Sequence, residues 1–151
     1  MNSLKLAVVG VLAASGVGAA VAAHSEDAKP QQPSLPPLFT AAQARHGGDI
    51  YLDQCASCHG QNLNDGGFAP ALKGVHFRAE WSGKSAGDLY SFIDANMPPG
   101  DAGNLSPDQY AALEAYVLQA NGAPAGDKPL PSDPKALTMP LWQAGGPAKG
   151  A

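Results

Sequence analysis

Charge is scarce in this chain. Asp, Glu, Lys and Arg make up 15% of its 151 residues, against about 25% in an ordinary soluble domain. Nine basic residues stand against 13 acidic ones, with no basic cluster, which excludes a nucleic-acid-binding surface. Aromatic residues are 7% of the chain and cysteines number two, too few for a disulfide-dense scaffold. Beyond residue 23 every apolar run is broken within a few residues, so no later segment is predicted to span a bilayer. What abounds instead is small or stiff: 28 Ala, 18 Gly and 14 Pro, two fifths of the whole. These are poor materials for a large sheet, and the length suits one ordinary domain with accessories.

The ends read differently from the middle. Met1–Lys5 carries one positive charge and is followed by 18 uncharged residues, Leu6 to Ala23, with small residues at Ala20–Val21–Ala22–Ala23. That is the pattern of a cleaved secretory signal, residues 1–23, with a retained membrane anchor as the alternative. Residues 24–39 contain Pro30, Pro33, Pro36 and Pro37 without periodicity, and are predicted to be an extended, solvated linker. Residues 123–151 hold six further prolines and form an extension that could wrap a domain or dangle from it. The compact part is predicted at 40–122.

Three helices are expected there. Thr40 and Gln43 make a capping-box pair for a helix running to about Gln54, although Gly47 and Gly48 oppose helix formation unless another helix comes close. Ser85 and Asp88 form a second box, ahead of Leu89, Tyr90, Phe92 and Ile93. Ser106, Pro107 and Gln109 open a third helix, which carries Leu113, Tyr116, Val117 and Ala120 along one face and stops at Asn121–Gly122. The prediction is an all-α domain with long loops, which in so small a unit implies that they wrap something.

The chemistry lies in Cys55–Ala56–Ser57–Cys58–His59, the pattern for covalent haem attachment. Two thiols at this spacing reach two positions on one macrocycle edge. The adjacent imidazole then ligates iron through Nε2, leaving Nδ1 to a hydrogen-bond partner. A thioredoxin-like pair wants a preceding strand and a βαβ unit, and a metal site wants a second ligand pair; both are missing. A plain disulfide is the remaining alternative, and an export signal fits haem, which is attached outside the membrane. One haem c is therefore the expected cofactor. For the sixth iron ligand the leading candidate is Met97, held by Pro98–Pro99–Gly100. Its soft sulfur would favour ferrous iron. Met139, His24, His46, His76 and an open position are the alternatives.

Taken together, Gly48–Asp49–Ile50–Tyr51, the haem motif with Gly60, Ala69–Pro70–Ala71–Leu72–Lys73–Gly74, Met97–Pro98–Pro99–Gly100 and the stretch from Leu105–Ser106 to Asn121–Gly122 resemble a class I c-type cytochrome. Within that group the chain is similar to monohaem cytochromes and cytochrome domains serving periplasmic quinoprotein dehydrogenases. The resemblance implies that Pro70 offers its carbonyl to His59 Nδ1, that Leu72 packs near the ring, and that Gly48 and Tyr116 mark a steep crossing of terminal helices. It sets Trp81 beside a haem propionate, with a plain core tryptophan as the equal alternative. It further implies a non-enzymatic periplasmic electron carrier, or a haem subunit of a larger complex. The donor would be a dehydrogenase and the acceptor a terminal oxidase or another cytochrome, with no small-molecule substrate. A haem enzyme or sensor with an open sixth position is the competing class.

Between Thr40 and Gly122 there are Arg45, Lys73, Arg78 and Lys84 against nine acidic residues. That speaks against the lysine-rich docking face of cytochromes that meet acidic oxidases. The same span holds 20 large apolar or aromatic residues in 83. So small a core is marginal on its own, and a covalently held macrocycle would supply what is missing.

Overall fold

The computed structural model describes residues 35–142; the predicted signal segment, His24, most of the predicted linker and residues 143–151 lie outside them. Five helices carry the fold: α1 (Ala41–Gln54), α2 (Ala56–His59), α3 (Val75–Glu80), α4 (Ala86–Asn96) and α5 (Pro107–Ala120). The predicted caps form. Ser85 with Asp88 and Ser106 with Gln109 are reciprocal capping boxes, and Pro107 occupies the first turn of α5. At α1 only half of the predicted box exists. Thr40 Oγ1 accepts from Gln43 N at 3.1 Å, while the Gln43 amide donates to Leu130 O at 2.9 Å and accepts from Leu130 N at 2.7 Å. A far part of the chain has taken the side chain that was expected to cap.

The two glycines of α1 have their reason. A methyl group at Gly47 would overlap the Ala112 carbonyl oxygen of α5, and one at Gly48 would press within 3.3 Å of the Tyr116 ring. Two helix axes approach this closely only where no Cβ intervenes, so the lost propensity is offset by packing. Helix α5 is buried well beyond one face: Tyr110 to Ala115, Val117 and Leu118 are all interior, whereas Ala120, expected on the apolar face, is exposed.

Two departures from the expected domain concern the proline-rich ends. Phe39–Thr40 (β1) pairs in parallel with Ala125–Gly126 (β2), Phe39 opposite Ala125. The segment 35–39 is therefore not solvated linker: Leu35 and Phe39 are buried, because two apolar side chains at this spacing give the extended chain something to bury. From Ala123 the chain runs as a strap, contributing Ala123, Leu130, Leu137 and Leu141 to the core. A short 3-10 turn, Pro134–Ala136, passes so close to α4 that a methyl group at Gly87 would overlap the Pro134 carbonyl. The strap also serves the start of α4. Ala86 N donates to Met139 O at 3.0 Å and Gly87 N to Leu137 O at 2.9 Å. These are amides that a helix cannot satisfy internally.

The third departure is α3. None of the three expected helices covers His76, yet Val75–Glu80 is a six-residue helix with no side-chain cap. Packing makes it: Phe77 is buried, with ring centroids 6.1 Å from Trp81 and 5.9 Å from Trp142. No helix among the described residues is long and apolar enough to cross a membrane.

Candidate functional site

Helix α1 ends at Cys55, whose amide still bonds Tyr51 O at 2.9 Å, and the chain turns at once into α2. This places Cys55, Cys58 and His59 within one short helical turn, all lining a single cavity of about 790 Å³. Among the described residues neither cysteine is in a disulfide, which leaves both sulfurs for haem attachment.

His59 is buried, and its Nδ1 lies 2.7 Å from the Pro70 carbonyl. A carbonyl can only accept, so the proton belongs on Nδ1 and the Nε2 lone pair is left for a metal. The loop that carries Pro70 is fastened at several points. Tyr51 Oη donates to Gly60 O at 2.6 Å, and Leu72 N bonds Leu63 O at 2.6 Å. Gly60 sits at φ +84, in the left-handed region. Across from it, a methyl group at Gly66 would overlap the Cys58 carbonyl. Asn121, which the sequence marks only as a helix stop, reaches back from the end of α5. Its Nδ2 donates to Leu72 O at 2.8 Å and its Oδ1 accepts from Gly74 N at 3.0 Å.

Met97 terminates α4 and lines the same cavity, as do Pro98 and Pro99. Of the other sixth-ligand candidates, His76 is at the cavity and exposed, whereas His46 and Met139 are not among its lining residues. The remaining walls are apolar, with Leu72, Phe77, Leu89, Ile93, Leu113 and Val117 prominent. Trp81 is a buried lining residue, with Lys84 Nζ 4.5 Å from its ring centroid and Lys84 in turn 3.2 Å from Glu80. Among the described residues no group of three or more His, Cys, Asp or Glu could hold a metal ion.

These residues fit a haem: a large apolar chamber, two thiols and an oriented imidazole on its rim, and a thioether on another part of its lining. A family described as cytochrome c oxidase, cbb3-type, subunit III, matches residues 42–117, half of the chain. The chain belongs to that family of c-type cytochromes. No curated protein and no solved structure matches it. The cytochrome's cofactor is one covalently attached haem c, held through Cys55 and Cys58, and its role is that of an electron-transfer haem protein. Tyr51, Phe77, Asn121 and Trp142 escaped the sequence reading as parts of the site. Tyr51 offered a signal, since an aromatic one helical turn before Cys55 must lie beside whatever the cysteine holds. Asn121 and Trp142 act through contacts distant in sequence, and Phe77 through Trp142 as well as the nearby Trp81.

Proposed function

We propose that this cytochrome is a periplasmic carrier of single electrons, with His59 and Met97 as the two axial ligands of its haem. It would take electrons from a dehydrogenase and deliver them to a terminal oxidase or another cytochrome, and it would act on no small-molecule substrate. The observation that carries the reading is the lining of one apolar cavity by Cys55, Cys58, His59 and Met97 together.

The bound haem supplies a one-electron ferric–ferrous couple. Around it the chain supplies the tuning. His59 presents a neutral imidazole, its tautomer set by Pro70 O at 2.7 Å. Met97 contributes a soft sulfur that raises the potential, and the apolar lining disfavours the more highly charged oxidised state. Ligation by both His59 and Met97 would leave no place for oxygen or peroxide, which separates a carrier from a haem enzyme or sensor. Replacing Met97 by Ala tests the ligand set. The variant is expected to lose the far-red methionine-to-iron absorption band and to have a lower midpoint potential in a redox titration. An unchanged band and potential would exclude Met97.

A second reading, a haem subunit fixed in a larger redox complex, draws on the family's description as an oxidase subunit. Size-exclusion chromatography of the native extract separates the two: a free carrier elutes as a small protein, a subunit with its complex.

A further inference from the structure

The cavity residue with the least obvious support is Met97. Its amide continues α4 by bonding Ile93 O at 2.9 Å, and the turn that follows is closed by Asp101 N to Pro98 O at 3.0 Å. Neither bond comes from another element of the fold. One side chain does reach in. The Tyr110 hydroxyl, on the first turns of α5, accepts from Gly103 N at 2.9 Å and lies 3.4 Å from the Met97 carbonyl, to which it donates.

A single oxygen thus touches both ends of the 97–103 turn. The bond to Gly103 has ordinary length, while that to Met97 is stretched, so Gly103 is the firmer end. Tyr110 itself has little freedom. It is buried with 2% of its surface exposed, and its ring lies 6.0 Å from that of Tyr90 in a T-shaped pair. Where water is largely excluded, a hydroxyl that satisfies two backbone groups cannot be replaced cheaply by solvent.

We propose that Tyr110 is a positioning residue for the Met97 thioether, anchoring the turn that carries it to α5 and so slowing its departure from iron. This rests on the axial role of Met97 given above. The structure supplies its own control. Tyr90 is the other half of the aromatic pair and is equally buried, but its hydroxyl donates to Pro107 O at 3.1 Å and does not touch the turn. Tyr110→Phe and Tyr90→Phe therefore make similar changes to the packing, and only the first removes an anchor from Met97.

The experiment uses the full haem-loaded chain in its ferric state: wild type, Tyr110→Phe and Tyr90→Phe. The far-red band is recorded first, then the rate at which added imidazole replaces the sulfur ligand. The expected result is a band in all three proteins, imidazole binding about ten-fold faster in Tyr110→Phe, as for loss of a buried hydrogen bond, and a rate within about two-fold of wild type in Tyr90→Phe. Equal rates in wild type and Tyr110→Phe, with the band present, would overturn the role of Tyr110 and leave Met97 as the ligand. Equal acceleration in both variants would reduce the effect to packing and overturn it too. Failure of Tyr110→Phe alone to attach haem would show that the hydroxyl serves folding rather than ligand position. A wild type without the far-red band would overturn the axial reading itself.

Discussion

The two stretches that bring ligand-bearing residues to the cavity are held by different means. The stretch from Cys55 to Gly74 is fastened along its length: His59 to Pro70, Leu72 to Leu63, Tyr51 to Gly60, and Asn121 to both Leu72 and Gly74. The stretch from Met97 to Gly103 hangs from the end of α4 and from one tyrosine hydroxyl. The first must present three reactive groups in register for a covalent attachment. The second needs to present one thioether, and a single anchor can serve it. Both reach α5, through Asn121 at its end and Tyr110 near its start, so the α1–α5 crossing at Gly47 and Ala112 is the frame on which both depend.

The largest disturbance would remove the reason for the first stretch. A Cys55→Ala/Cys58→Ala double variant is expected to lack stable helical content by circular dichroism. The apolar side chains around the cavity would lose the macrocycle they pack against, in a domain with little stability to spare. Near-native dichroism in that protein would contradict the view that haem completes the core.

Ending the chain at Gly122 should separate the two stretches. The Cys55–Gly74 stretch takes none of its fastening bonds from the strap. Helix α4, which carries Met97, loses the carbonyls of Leu137 and Met139 that satisfy Gly87 and Ala86. Haem attachment is expected to persist, with a far-red band that is weakened and a melting temperature that falls. Loss of attachment with the band intact in whatever haem remains would reverse the comparison.

Asn121→Ala acts on the other side. It leaves the Gly74 amide and the Leu72 carbonyl without partners and is expected to cost about 2 kcal/mol, read from denaturant unfolding of the haem-loaded protein. The far-red band should be unchanged, because the turn that bears Met97 is untouched.

Glu114 gives the smallest effect and belongs to neither stretch. It is fully buried in α5, and neither carboxylate oxygen meets a hydrogen-bond partner among the described residues. Burial raises its pKa well above the ordinary 4.5, so the folded chain holds this proton more firmly than the unfolded one. Its contribution is complete below the unfolded pKa and is lost as pH climbs toward the raised folded value. Glu114→Gln should flatten the fall in melting temperature as pH rises above the ordinary carboxylate range, with the two proteins alike below that range.

Much of this was written in local sequence. The haem motif, α4 and α5 with their capping boxes, and the two glycines of α1 are local signals, and the structure contains all of them. The Pro70 carbonyl at His59 came from family resemblance and stands at 2.7 Å. What stayed hidden was long-range. Helix α3 has no side-chain cap, and its buried Phe77 meets Trp142 from the far end of the strap. The strap has no periodicity, so its prolines left wrapping and dangling equally open, and it buries four apolar side chains. Gln43 was claimed by Leu130, 87 residues away. A carboxamide that fits a capping box locally can be taken by a distant backbone, and nothing in a local pattern reveals it. The scarcity of charge and of large apolar residues is sharpened as well. With the strap and residues 35–39 included, the core gains Leu35, Phe39, Leu130, Leu137 and Leu141, and the remaining deficit is the haem cavity.

The most direct test is the optical spectrum of the purified wild-type protein in both redox states. A haem c held by His59 and Met97 predicts a low-spin ferric spectrum with the far-red methionine band and sharp low-spin bands on reduction. A high-spin ferric spectrum without that band would contradict the two-ligand site, and with it the reading of this cytochrome as a carrier.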